Sequence, residues 1–564
     1  MSQRPPVLIV GAGPAGLVLA LTLVQNGVPV RIIDKKPVYH SGERGAGIMP
    51  RTLEVYEFLG VLPDILKGAR TDVKLRVAQV GAGLEDYKEV YIPCPPMAPA
   101  PAFPRLQGYF LGQCHAEHIL RSHLAKYSCH VELGTELRTF EQFSDHVEAL
   151  IVKINANGEE VRETFITEWL VGTDGGRGVV RKQLGLTFLG ETREDQSVLG
   201  EVRLEGPNDG YWHVWGGFST TLVSIRPTEK ADVFWILTGG READHGQLSS
   251  DHQALEQHIR LVTGLPIKLV EVLNLTHYRF NIRMVDKFGE GRVFVAGDAA
   301  HVHSPAGGQG MNSSVMDAFN LGWKLALVYK NLAPSTLLST YSEERLPVIA
   351  QMLQTTTSLL NTVVKGGFDE AFQGVDDNQA ERTRALELFQ LTVNYRWSSI
   401  VLDEGTDPVP DDGILPGPGG DRIRAGDRAP EAAGLVTISG DLPSTSPTTS
   451  LFRLFKPTCH TLLIFTPKPS DCEAIFATLT RYSRIPICTA VILPSSAFSL
   501  ESPISATHTT DHVLKDCDGR AYQGYSVHLG SLKLVVVRPD GVVGAVVNDA
   551  EGLERYLSRV FANQ

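Results

Sequence analysis

Val7 to Lys36 reads VLIVGAGPAGLVLALTLVQNGVPVRIIDKK. Val7 to Val10 is the short apolar run of a parallel strand buried on both faces, because a strand with one wet face would alternate. Gly11, Gly13 and Gly16 then form G-x-G-x-x-G, an apolar helix follows, and a second strand ends at Asp34 with Lys35 beside it. The first glycine makes the turn, the second lets backbone approach a pyrophosphate, and the third lets helix and sheet pack closely. The helix N-terminus favours the phosphate charge, and the acid accepts from ribose hydroxyls. Strand, glycines and acid in register predict a dinucleotide-binding unit at the start of the chain.

The same logic returns downstream. TEWLVGTDGGRGVVRKQLG (Thr167–Gly185) is an apolar strand, an Asp-Gly turn and a helix carrying Arg181. GRVFVAGDAAHVHSPAGGQGMN (Gly291–Asn312) is a strand, a carboxylate, two histidines, a proline and a glycine-rich turn, and SSVMDAFNLGWKLALVYK after it predicts an amphipathic helix. Between them, YWHVWGGFSTTLVSIRP and ADVFWILTGG read as antiparallel strands. After two helical stretches, DEGTDPVPDDGILPGPGGDRIRAGDRAPEAAG has the composition of a linker or wrapping loop. HTLLIF, CTAVIL and LKLVVVRPDGVVGAVV follow as short strands, the last containing a Pro-Asp-Gly hairpin turn.

A length of 564 residues exceeds one typical domain, and 43% hydrophobic with 21% charged residues is ordinary globular composition. The formal net charge of -12 disfavours nucleic acid and anionic membrane partners, which call for clustered cations. The seven cysteines show no metal-ligand spacing and read as reduced thiols. Neither a signal peptide nor a span of about 20 apolar residues is seen, so a cytoplasmic protein is expected.

His301 and His303 invite a metal reading, but no Cys, Asp or Glu completes a familiar ligand set. No G-x-S-x-G elbow supports a hydrolase. A flavin uses every residue of the run. Asp298 can bond the hydroxyls of a sugar-like chain, Pro305 gives a rigid wall against a flat ring, and Gly307, Gly308 and Gly310 admit close backbone. The N–H groups near Gly310, Met311 and Asn312 open a helix whose positive end stabilises the anion of a reduced flavin.

With these motifs in hand, the sequence resembles the single-component FAD-dependent aromatic hydroxylases of the para-hydroxybenzoate hydroxylase fold, most closely the phenol 2-monooxygenase-like branch. The likeness rests on GAGPAG, GTDGGRGVVRKQLG and the Gly291–Asn312 run, on RGAGIMPRTLEVYEFLGV with Arg44, and on GQCHAEHIL with Gln113. It implies that Arg44 lies near the FAD pyrophosphate, that Gln113 touches FAD, and that Asp174, Gly175 and Arg181 serve FAD and a passing nicotinamide. A serine usual in that motif is Gly178 here. The C-terminal VLKDCDGRAYQGYSVHLGSLKLVVVRPDGVVGAVV resembles the thioredoxin-like domain of the branch, without a redox cysteine pair; Cys459 reads as a packed core residue and the domain as structural, with a role in homodimer formation.

The expected architecture is α/β: a Rossmann-like FAD-binding domain (1–75, 105–190 and 285–400) interrupted by a β-rich substrate domain (76–104 and 191–284), a linker (401–430) and a thioredoxin-like domain (431–564). The implied activity is NAD(P)H- and O2-dependent hydroxylation of a phenolic or aromatic polyketide-like substrate through a flavin hydroperoxide. Baeyer-Villiger insertion, dearomatising hydroxylation or epoxidation on the same scaffold, and a non-catalytic flavin-binding scaffold, are the alternatives. Candidates for activating the substrate are Tyr278 and Arg283, which run into the flavin strand, then His213 and Trp215 in the β-rich insert, and Arg51 after the GAGIM turn.

Overall fold

The computed structural model describes all residues except 1–3, 44, 72, 91–96, 155–156, 208, 373–378, 406–421, 441–447, 469–471, 497–509 and 563–564. The first sheet has six strands in the order Gly289–Glu290, Val293–Val295, Leu170–Gly172, Val7–Val10, Val30–Asp34 and Val131–Leu133. Every pairing in it is parallel except the outermost, 289–290 with 293–295. Val7–Val10 is buried throughout, as its unbroken apolar run requires. Helices Pro14–Gln25 and Gln309–Tyr329 pack against each other, with Gly322 seated on Thr22: a β-carbon there would come within 2.7 Å of Thr22 Cγ2. A separate antiparallel meander, Thr135–Gln142, Val147–Ile154 and Glu160–Thr167, lies in the same region.

The second sheet has eight strands, in the order His301–Val302, Lys268–Met284, Leu189–Glu205, Val233–Gly239, Leu222–Pro227, Trp212–Gly216, Leu75–Ala78 and Tyr87–Val90. Two 17-residue strands, Leu189–Glu205 and Lys268–Met284, form its long ribbon. The end of that ribbon is stitched to the histidine run by Arg283 pairing with Val302 and Met284 with His301. One face packs on helices His245–Ser250 and His252–Thr263 through Leu248, Leu255, Ile259 and Val262. The other meets helix Ser339–Phe372 through Leu359, Leu360, Val363 and Val364.

The third sheet, also of eight strands, runs Leu402–Asp403, Val543–Val547, Lys533–Val537, His460–Phe465, Ile487–Pro494, His512–Asp516, Ala433–Ser439 and Thr448–Ser450. Residues 424–430, inside the stretch expected to link, are buried between this sheet and the rest of the protein. Arg428 binds Glu54 and the Ala102 carbonyl there.

Gln309–Tyr329 departs from expectation. Its 18-residue apolar pattern suggested a helix with one wet face, yet nearly every side chain is buried, including Asn312, Asp317, Asn320 and Lys324. The polar positions face protein partners instead of water, because the C-terminal unit covers the side that would have been exposed.

Candidate active site

The first glycine turn is built by exclusion. Gly11 has φ of 106°, and a β-carbon there would strike the Thr173 carbonyl. One on Gly16 would strike the Gly11 carbonyl and stand 2.7 Å from Thr173 Oγ1. Gly13 differs, since nothing lies within 4 Å of the place its β-carbon would occupy. That open space adjoins the N-terminus of Pro14–Gln25, which no side chain caps and whose first turn holds no acid. Its unpaired N–H groups suit an anion. Asp34 accepts from the Ala12 and Lys36 N–H groups, each at 2.9 Å, and keeps acceptor positions for a ribose. Lys35 is exposed beside it. Gln113 opens helix Gln113–Ala125 and donates to Glu117 Oε1 at 2.8 Å, a buried partner that sequence reasoning did not single out. Arg44 lies outside the described residues.

In the second turn, Asp174 Oδ2 accepts from the Val179 and Val180 N–H groups at 2.6 and 3.1 Å, while Oδ1 is buried without a protein partner. A β-carbon on Gly178 would overlap that carboxylate. The serine replaced here would therefore collide with this placement of Asp174, which itself caps the short helix. Burial pushes the Asp174 carboxyl up, against the N–H groups and Arg181 that lower it. Gly175 has φ of 79° and open space beside it. Arg181 is buried, donates to the Ala299 and Gly176 carbonyls at 3.1 and 2.8 Å, and stacks on Phe188. It braces the turn that carries Asp298.

That turn, Gly297–Ala299, exposes Asp298. Further on, Pro305 is exposed, and Gly307 and Gly308 adopt φ of 78° and 63° before helix Gln309–Tyr329 begins without a side-chain cap. Gly310 and Met311 lie half-buried in its first turn. Asn312 is fully buried and ties the assembly together. Its Oδ1 accepts from the Met49 N–H at 2.8 Å, and its Nδ2 donates to the Gly308 and Gly47 carbonyls at 2.7 and 2.9 Å. The histidines divide. His301 is fully buried, with Nε2 2.7 Å from Asp317 Oδ2. His303 places Nδ1 2.5 Å from the Ser304 carbonyl, and its Nε2 sits beside Gly310. Burial, with His301 nearby, lowers its imidazole to about 4.

The eight-stranded sheet sorts the catalytic candidates by alternation. Tyr278 is on the face toward the flavin run; its hydroxyl donates to the His303 carbonyl at 3.2 Å. Arg283, five residues on, falls on the opposite face and donates to the Phe188 carbonyl and Thr192 Oγ1. His213 also points away, with Nε2 2.9 Å from Asp209 and its ring stacked on Trp215, whose indole donates to the Gly83 carbonyl. Arg51 is buried and held by Glu54 and the Asp540 carbonyl. Trp212 and Trp235 take the face that His213 does not. They lie in one cluster with Tyr278 and Ala306, the residue after Pro305. The signal was present in YWHVWGG: Trp212 and Val214 share a face, and His213 and Trp215 share the other.

Two uncapped helix starts, an open glycine and an unpaired buried acceptor make a set suited to a dinucleotide bearing a flat ring. Among the described residues, no group of three His, Cys, Asp or Glu could hold a metal ion, and no helix is long and apolar enough to cross a membrane.

A family model described as FAD binding domain matches residues 4–356. A flavin-dependent monooxygenase of Mycobacteroides abscessus is 32% identical over 98% of this chain and 99% of the relative. Pentachlorophenol 4-monooxygenase of Sphingobium chlorophenolicum is 32% identical over 82% of this chain and 80% of the relative. Among solved structures, aklavinone-11 hydroxylase in complex with FAD and aklavinone has a TM-score of 0.77 at 24% identity, over 99% of each chain.

Proposed function

This chain belongs to the FAD binding domain family, and from that premise we propose that it uses NAD(P)H and O2 to hydroxylate a phenolic or aromatic polyketide-like substrate. The observation that carries the reading is the meeting of the uncapped start of Gln309–Tyr329 with an apolar aromatic sheet face, where Ala306, just before the helix, packs against the same buried cluster as Trp212, Trp235 and Tyr278. Flat apolar molecules fit such a wall, and its dryness strengthens every polar interaction made there.

When bound, FAD would supply the redox chemistry that links oxidation of the nicotinamide to activation of O2. Gly13, Asp34 and Gln113 would hold its adenosine and pyrophosphate side, Asp298 its ribityl chain, and the N–H groups of Gly310 and Met311 the pyrimidine edge. Tyr278, pushed up to about 12 by burial and the Asp298 charge, stays protonated at neutral pH; its one O–H goes to the His303 carbonyl, which leaves the hydroxyl oxygen as an acceptor for a substrate hydroxyl. His303 is neutral, donates a hydrogen bond from Nδ1 to the Ser304 carbonyl, and so presents Nε2 as an acceptor. Accepting from a substrate hydroxyl there would enrich the ring in electrons for attack on oxygen. The same reading takes the C-terminal unit as thioredoxin-like and the protein as a cytoplasmic homodimer, the latter open to light scattering.

The test is anaerobic mixing of the holoprotein with NADPH or NADH, with and without phenols and aromatic polyketides. Faster flavin bleaching with one compound class, then an oxygenated product from 18O2, is expected. Flavin that no panel member or nicotinamide reduces would instead favour a binding scaffold.

A further inference from the structure

Behind the flavin run lies a chain of buried charges that starts in the C-terminal unit. Arg538, fully buried at the Pro-Asp-Gly hairpin, donates through its two Nη atoms to Glu344 Oε1 and Oε2 at 2.7 and 2.9 Å. Lys324, on the flavin-facing helix, donates to the same carboxylate at 2.7 Å. The next residue after Glu344 is Arg345, whose Nε donates to Asp317 Oδ1 at 2.8 Å. Asp317 in turn accepts, at Oδ2, from the Gly297 N–H at 3.1 Å and from His301 Nε2 at 2.7 Å. Every side chain in this chain is at most 1% exposed.

Two adjacent residues of helix Ser339–Phe372 therefore face two ways: Glu344 is gripped by the C-terminal unit, and Arg345 grips Asp317. Buried ion pairs are a poor way to gain stability, since apolar packing serves as well or better, but they hold geometry tightly. The geometry held is that of the Asp298 turn. Gly297, with φ of 62°, has no slack there, since a β-carbon would lie 2.8 Å from Ser314 Oγ.

We propose that Arg538 and Asp317 are positioning residues of the flavin site, so that the C-terminal unit sets where the Gly297–Ala299 turn and its Asp298 stand against the cofactor. This rests on the flavin reading above and gives the C-terminal unit a part in the reaction site.

The experiment is a double-mutant cycle on the holoprotein with Asp317→Asn and Arg538→Lys, reading FAD dissociation constant, the midpoint potential of bound FAD by dye equilibration, and thermal midpoint. Each single substitution is expected to weaken FAD binding about tenfold and to shift the potential in one direction, and the pair to weaken it far less than the product of the two. Should Arg538→Lys fail to fold, Asp540→Asn takes its place, loosening Arg538 through the carboxylate that accepts from its Nε at 3.0 Å. Independent, multiplicative effects would overturn the proposal, as would a lowered thermal midpoint with wild-type FAD affinity and potential. No substrate enters these measurements. A holoprotein that oxygenates nothing would thus sink the hydroxylase reading and leave this one standing, whereas additive flavin effects sink this one alone.

Discussion

Two helices begin without a side-chain cap, and they are seated in opposite ways. Pro14–Gln25 carries no charged side chain and is seated by contact: glycines against carbonyls at Gly11 and Gly16, and Thr22 against Gly322. Gln309–Tyr329 is seated by polar groups, with Asn312, Asp317, Asn320 and Lys324 buried among partners. Contact seating of the turn draws on residues within one supersecondary unit and Thr173, and the helix behind it leans on Gly322. Polar seating draws on Met49, Gly297, Arg345 and Arg538, which are scattered through the chain. The first fails when something is added, and the second when something is removed.

The sharpest break should come from adding one methyl. Gly16→Ala drives a β-carbon into the Gly11 carbonyl, which is backbone and has little room to move. A loss of about 3 kcal/mol, the upper end for overpacking, is expected, with little holoprotein recovered. Gly13→Ala meets open space, so its thermal midpoint should stay near wild type while flavin titration shows weaker binding. Equal destabilisation by both would mean that the turn is not seated by contact. On the polar side, Asn312→Ala removes three buried hydrogen bonds, to Met49, Gly47 and Gly308. It should cost roughly 2–3 kcal/mol, because buried partners are left unsatisfied. Urea unfolding reads this directly, and a cost below about 0.5 kcal/mol, the usual range for an inconsequential surface change, would count against polar seating.

This contrast also explains what could be read in the sequence. The first turn was legible because its spacing is local and two of its glycines, Gly11 and Gly16, each have one steric reason. The parallel sheet, the antiparallel insert and the C-terminal hairpin were legible for the same cause: strand character shows in runs of a few residues. The surroundings of Gln309–Tyr329 were not, since nothing in FNLGWK tells which unit will cover Lys324. Arg181 carries a familiar motif position, yet its guanidinium is spent on carbonyls of the turn it supports. Arg51 and Arg428 converge on Glu54 only once the C-terminal unit has docked. Tyr278 and Arg283 were proposed together, although an odd separation on one strand already sets them on opposite faces.

The two faces of the eight-stranded sheet give a smaller and cleaner comparison. Tyr278→Phe removes one hydrogen bond to the His303 carbonyl, so about 1 kcal/mol of stability is at stake. Turnover should drop about tenfold if the phenol positions substrate, a modest value for a lost polar contact in an active site. His213→Asn breaks a half-buried bond to Asp209 and a stack on Trp215, and should cost about 1–2 kcal/mol while kcat stays within about twofold. Thermal melts and steady-state assays on both variants decide it. A His213 variant with poor turnover and normal stability would reverse the assignment of the faces.

The last expected effect is a slope, not an offset. Burial, with His301 close by, holds the His303 imidazole at about 4 in the folded protein against 6.5 for a free side chain. Between those values the unfolded chain carries a proton that the folded chain lacks. The folded state is therefore favoured by the full amount above pH 6.5, and the contribution is lost as pH falls toward 4. His303→Asn should leave a flatter dependence of the denaturation midpoint between pH 7 and 4.5 than the parent shows, whatever its offset at pH 7. Parallel curves would mean that the folded imidazole takes up its proton where a free one does, near 6.5. The ring would then gain its second proton just below neutral pH, Nε2 would turn from acceptor to donor there, and the acceptor role toward a substrate hydroxyl would hold only above that pH.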